Sequence, residues 1–213
     1  MTPLRTLALL APLALGLMAA PAAAQEYEPG HSRGAADAPM TIIEYGSFTC
    51  GTCKYFHDEL MPVIEPHIEA GTVRFVFREV LRNDLDTALA SLARCVDSGA
   101  YFDVASTIFT RQDEIIEAAG KGEAMSEFIT IGTPYGIADA AAFNACYGDM
   151  NIRFELLDVE ESASEYDLHG TPTLVLNGEE KYVDQDFQSA EAFSAFLDNA
   201  LAGLNTAAAD HAH

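Results

Sequence analysis

Tryptophan is absent from this 213-residue chain and basic residues are scarce: 11 lysines and arginines face 33 acids, for a formal net charge of −22. Such a surface repels nucleic acid and anionic lipid, so neither is a plausible partner. Cysteine is limited to Cys50, Cys53, Cys95 and Cys146, and only the first two form a Cys-x-x-Cys pair. Without a second pair a four-ligand structural zinc site is disfavoured, and Lys54, where a histidine would be needed, argues against haem attachment. Beyond the first 24 residues no run is long and apolar enough to span a bilayer, and no internal repeat is visible.

The chain opens with Arg5, an apolar run from Leu7 to Ala20, Pro21 and the small residues Ala22, Ala23 and Ala24. That is the pattern of a secretory signal peptide over 1–24, cleaved near Ala24, with no cysteine following for lipidation. Export places the protein in an oxidising space where disulfides persist. Residues 25–39 are rich in turn formers and read as an N-terminal leader. What remains is long enough for one domain with a sizeable insertion.

The organising stretch is Met40 to His57. Thr41, Ile42, Ile43 and Tyr45 read as a buried strand, Gly46 and Ser47 break it, and Lys54 to Leu60 has helical spacing, so Cys50 and Cys53 open a helix. Free peptide N–H groups and the positive end of the helix dipole favour an anion there, which makes Cys50 the nucleophile. Cys53 is placed to reach back and resolve a mixed disulfide on Cys50. A structural disulfide and transient metal binding with His57 are the blander alternatives, and His57 itself reads as a solvated helix-face residue.

Downstream, Pro62 and Pro66 are expected to kink or end the helix near residues 68–70, and Val73 to Phe77 reads as a second strand. Residues 84–164 read as a helical block, with Asp84 or Asp86, Ser98, Ser126 and Asp139 or a neighbour as candidate caps. Thr173 to Leu176 is a strand, Asn177-Gly178 a hairpin turn, Tyr182-Val183 its partner, Ala190 to Leu201 a closing helix, and 205–213 a disordered tail. Cys95 and Cys146, at the two ends of the helical block, are expected to pair as a structural disulfide, with two separate buried thiols as the alternative.

EYGSFTCGTCKYFH followed, after a helical insertion, by HGTPTLVLNG resembles the DsbA-like periplasmic thiol–disulfide oxidoreductases of the thioredoxin superfamily. The resemblance spans nearly the whole mature chain. It implies an α/β thioredoxin fold, formed by 40–83 and 165–204, with an inserted helical domain at 84–164. It also implies catalysis by Cys50 and Cys53, and a cis-proline loop at Thr171-Pro172 that pairs with substrate backbone. On the residues alone a trans proline starting an edge strand remains open for Pro172. Glu44, six residues before Cys50, matches a buried acid that relays protons to the resolving thiol, although strand alternation also allows Glu44 to face solvent. The implied partners are reduced exported proteins and a membrane redox partner that resets the pair, with no cofactor, no metal and a monomeric state. Gly51-Thr52 departs from the Pro-His of strongly oxidising DsbA proteins, which points to a less oxidising couple. Thr49 stands where thioredoxin itself has tryptophan, which argues against a thioredoxin proper.

Overall fold

The computed structural model describes residues 28–166, 168–182 and 188–210, so the signal-peptide segment lies outside the described residues. Strands β1 (His31–Arg33), β2 (Met40–Gly46), β3 (Val73–Glu79), β4 (Thr173–Leu176) and β5 (Glu179–Tyr182) form one sheet in the order β1-β3-β2-β4-β5. β2 and β3 run parallel, joined by a helical crossover, while β1, β4 and β5 pair antiparallel with their neighbours.

Helices cover both faces of the central strands, and that decides where Glu44 goes. Ile42 belongs to the large core with Phe75, Phe77 and Leu174, while Ile43 and Tyr45 pack on the other side with Val76 and Val175. Neither face of β2 is solvated, so alternation puts Glu44 in a core either way, and it is 0% exposed.

The leader contributes β1, which a three-residue strand without periodicity does not announce. It lies along the edge of β3, with His31 opposite Phe77 and Arg33 opposite Phe75. Gly30 and Gly34 flank it at φ +93° and +97°, and a Cβ on either would stand 2.5 Å from a carbonyl oxygen of β3. Only glycine meets both the backbone conformation and the close approach.

The crossover consists of α1 (Gly51–Tyr55), a π-helical turn (Phe56–Leu60) and α2 (Met61–Glu69). It ends at Glu69, within the expected 68–70, and both prolines are accommodated inside α2. Pro62 sits in the first turn of α2, where its missing N–H costs nothing, and the widened turn before it absorbs the mismatch, with the Met61 N–H donating to Phe56 O.

Helices α3 (Asp84–Arg94), α4 (Tyr101–Thr110), α5 (Gln112–Gly120), α6 (Ala124–Gly132), α7 (Ala140–Tyr147) and α8 (Met150–Ala163) fill the insertion. Asp139 caps α7 through the Ala142 N–H, but α3 is capped by Asn83, whose Oδ1 accepts from Asp86 N at 2.9 Å. Asp86 is turned elsewhere, as described below. Ser98 lies inside a 3₁₀ turn capped by Asp97, and Ser126 donates back to Glu123 O within α6. The hairpin after β4 is built on Asn177 (φ 48°) and Gly178 (φ 88°), and β5 starts at once, at Glu179 rather than Tyr182; Val183 lies outside the described residues. The last helix, α9 (Ala190–Asp210), outruns its expected end at Leu201 into the segment read as a disordered tail. Leu201 and Leu204 pack on the core, and the alanine-rich sequence beyond them has high intrinsic helix propensity.

Cys95 and Cys146 form a disulfide between the end of α3 and α7, with Cα atoms 5.7 Å apart and 51 residues of sequence separation. Closing a loop of that length is worth ~4 kcal/mol in the chain-entropy account. The Cys95→Ala/Cys146→Ala variant is therefore expected to lose stability on that scale in urea unfolding while keeping its far-ultraviolet circular dichroism. A midpoint equal to that of the unaltered protein would show that the bond braces nothing.

Candidate active site

The end of β2 delivers the chain into the site. Gly46 has no room for a side chain, since a Cβ would stand 2.6 Å from the Phe77 ring and 2.7 Å from Glu44 Oε1. Residues 47–50 then turn, with the Cys50 N–H donating to Ser47 O at 3.1 Å. Cys50 occupies the cap position of α1 in extended conformation, without a side-chain cap of its own, so its sulfur shares the helix start with the unpaired N–H groups. Cys53, one turn in, is fully buried, and its sulfur accepts the Ser47 N–H at 3.4 Å.

Two side chains from the helical insertion hold this turn. Asp86, 1% exposed, accepts the Ser47 hydroxyl at 3.0 Å, Thr49 N–H at 2.9 Å, the Thr49 hydroxyl at 3.1 Å and Arg82 N–H at 3.1 Å. Gln112, also buried, donates from Nε2 to Phe48 O at 2.8 Å and to Cys50 O at 3.0 Å. Phe48 packs against Phe77 of the sheet and Phe109 of the insertion, centroids 5.4 and 5.1 Å apart. The insertion is thus built into the floor of the site.

The Thr171-Pro172 peptide bond is cis, and it brings the loop before β4 against the cysteines. The Cys50 thiol donates to Thr171 O at 3.2 Å, and the Thr171 hydroxyl is buried without a hydrogen-bond partner. Beside them opens a cavity of about 610 Å³, lined among others by Cys50, Thr52, Val80, Arg82, Leu168 and Thr171.

The two thiols are driven apart. Cys50 is pulled down from 9.0 to about 4, chiefly by the hydrogen bond it receives from the Cys53 thiol, against the opposing effect of burial. Further help comes from the Thr171 hydroxyl, which has no other partner and can donate to the thiolate, and from the N–H groups of Cys53 and Thr52. Burial pushes Cys53 far up, and its hydrogen bond to Cys50 and the nearby Glu44 carboxylate add to this.

Beneath the pair, Glu44 Oε2 lies 2.9 Å from His57 Nε2, while Oε1 is buried with no partner. Burial raises the Glu44 carboxyl, and His57 pulls it partly back. His57 is therefore no solvated helix-face residue: its side chain is 11% exposed and its ring stacks on Phe109 at 3.9 Å. The π-helical turn that carries it, together with an aromatic surface supplied by the insertion, accounts for the difference. A carboxyl with a raised pKa and one oxygen unengaged is suited to moving a proton to and from Cys53. Glu44→Gln keeps the shape and removes the acid. It should slow the steps in which Cys53 gains or loses its proton by roughly a hundredfold or more, within the range of general acid–base effects, while attack at Cys50 changes little. Stopped-flow traces of equal rate in variant and wild type at neutral pH would rule out the relay.

Among the described residues no group of three or more histidines, cysteines and acids is placed to hold a metal ion. Also among them, no helix is long and apolar enough to cross a membrane. The structure brings Cys50, Cys53, Glu44, Thr171 and Pro172 together, with the proline cis and Glu44 buried, whereas Cys95 and Cys146 are bonded within the insertion. Asp86, Gln112 and His57 were not legible as site residues. Asp86 reads locally as a helix cap, and Gln112 carries no local signal at all.

A family model described as Thioredoxin matches residues 26–199. Disulfide bond formation protein D of Bacillus subtilis is 31% identical over 83 residues, covering 37% of each chain. A Rickettsia bellii protein, provisionally named a protein-disulfide oxidoreductase, is 25% identical over 167 residues, which cover 78% of this chain and 62% of that one. The chain thus spans less than two thirds of the length of these curated relatives. The crystal structure of Wolbachia pipientis alpha-DsbA1 superposes with a TM-score of 0.67 at 20% identity, covering 82% of this chain and 92% of that one. With the match running through both halves of the sheet and the whole insertion, the chain belongs to the thioredoxin family that this model describes.

Proposed function

We propose that this protein is a thiol–disulfide oxidoreductase that introduces disulfides into exported proteins through the Cys50/Cys53 pair. The observation that carries this is the opposition of the two thiols: Cys50, at the cavity, is pulled down to about 4, while Cys53, buried behind it, is pushed far up. In the oxidised protein a substrate thiolate attacks the Cys50 sulfur, the Cys50–Cys53 bond breaks, and Cys53 leaves carrying the electron pair and takes a proton, which Glu44 supplies. A second substrate thiolate then attacks the substrate sulfur of the mixed disulfide and expels Cys50 as a thiolate. Two electrons pass to the protein and one disulfide forms in the substrate. Cys50 is the better leaving group because its thiolate is the stabler one. The Thr171-Pro172 loop aligns substrate backbone in this reading, which its contact with Cys50 supports.

The names of the relatives support the same chemistry, and the signal-peptide pattern of residues 1–24 supports an exported, periplasmic setting with a membrane redox partner that reoxidises the pair. A reductase or isomerase would use the same atoms at a different potential. The low position of Cys50 favours the oxidase direction, since stabilising its thiolate stabilises the reduced form. It does so without the histidine expected of strong oxidants: Thr52 contributes through its backbone N–H, and the larger effect comes from Cys53.

The test is oxidation of a reduced two-cysteine peptide with glutathione disulfide as terminal oxidant. The protein should accelerate it and Cys50→Ser should not. Equal rates with and without Cys50 would reject the proposal.

A further inference from the structure

Arg82 stands out among the charges of this molecule. Its backbone N–H is fixed on Asp86 at 3.1 Å, while its side chain is exposed and lines the 610 Å³ cavity beside Cys50. Every other lysine or arginine whose side chain is described has an acidic partner within 4 Å, except Arg153, which lies over the Tyr147 ring. Arg82 has no such partner among the described residues, in a chain with 33 acids.

We propose that the Arg82 guanidinium is a substrate subsite that takes a carboxylate side chain close in sequence to the cysteine that bonds to Cys50; this rests on the disulfide-exchange function proposed above. The guanidinium presents a planar fork of donors that matches a carboxylate. A cavity of that volume is about 10 Å across, and an extended chain advances ~3.3 Å per residue, so the carboxylate belongs within about three residues of the reacting cysteine. Val80 and Leu168 give the same cavity an apolar wall for the intervening side chains. The overall charge of −22 repels acidic substrates at long range, so their selection has to come from a cation at the contact itself.

Three peptides with two cysteines each, alike except for Asp, Ser or Lys beside the first cysteine, are oxidised by the Cys50–Cys53 disulfide form of the full chain, with acid quenching, alkylation and mass spectrometry. Cys50-dependent oxidation of the Ser peptide keeps the exchange function whatever the charged peptides do. The Asp-to-Lys ratio of kcat/KM is then compared between proteins, which cancels the effect of the flanking charge on the peptide's own thiol. The ratio is expected to fall about fivefold in Arg82→Gln, equivalent to one surface ion pair of ~1 kcal/mol, and to fall further in Arg82→Glu. Equal ratios in all three proteins overturn the subsite. Asp167, the neighbour of Leu168, lies outside the described residues. A preference that emerges only in Asp167→Asn also overturns the proposal, because the guanidinium would then already be occupied.

Discussion

Cys53→Ala is expected to stop turnover completely and to leave the protein covalently bound to its substrate. The Cys50 thiolate still attacks a disulfide, because the features that pull it down include Thr171 and the N–H groups at the start of α1 as well as Cys53. The resulting mixed disulfide has no second thiol to break it: Cys95 and Cys146 are bonded to each other in the insertion. Non-reducing electrophoresis of Cys53→Ala incubated with an oxidised substrate protein should show a new band that collapses on reduction. Cys50→Ser should give neither turnover nor adduct, because the sulfur it retains is the buried, protonated one. An adduct formed by Cys50→Ser and not by Cys53→Ala would reverse the two roles.

The second large effect is on stability. The folded-state pKa of Cys50 is depressed, from 9.0 to about 4, so its thiolate stabilises the reduced protein fully above pH 9 and progressively less as pH falls towards about 4. Between pH 7 and pH 4 this contribution shrinks by roughly 4 kcal/mol, at 1.36 kcal/mol per unit. Cys50 borders the open cavity, so screening by solvent makes this figure an upper bound. The oxidised protein has no thiolate to lose. Carboxylates away from the pair titrate in both forms and cancel in the difference, whereas Glu44, which the Cys50 thiolate pushes up, does not. The comparison is therefore made in the Glu44→Gln background, where the stability of reduced relative to oxidised protein should fall by up to that amount over the window. Denaturant titrations of both forms at pH 7 and pH 4 measure it; a gap that stays constant or widens towards acid contradicts the assigned Cys50 environment.

Much of the fold was legible because its signals are local. The β-branched run before Cys50, the helix formers after it, the proline before an apolar strand and the Asn-Gly turn each announce themselves within a few residues, and the structure places an element at each. β1 escaped because three residues carry no period, and its pairing depends on two glycines meeting the backbone of a strand some 40 residues away. Glu44 was anomalous in sequence but ambiguous, since alternation assigns faces without saying whether both are covered. The crossover, the closing helix and the insertion cover one face, and the end of α8 with the segment after it covers the other.

The supports of the site were hidden for a different reason. Asp86 sits in the first turn of α3, where an acid is ordinarily explained by the helix itself; its actual role is to accept four hydrogen-bond donors from residues 47–49 and 82. Gln112 and Phe109 meet the site only because the insertion folds back over it. Contacts between residues 50 and 112, or 57 and 109, are properties of the packed chain, and no spacing rule within the sequence encodes them.

The central claim is that the two cysteines are electrostatically unequal, and the rate of Cys50 alkylation as a function of pH tests it most directly. The reduced protein is treated with iodoacetamide from pH 3 to pH 9, and the modified cysteine is identified by mass spectrometry. The account predicts modification at Cys50 alone, with a rate that rises through about pH 4 and is flat from about pH 6 upward. A rate that climbs through pH 8 to 9 like that of a free thiol, or modification of Cys53 first, would contradict it.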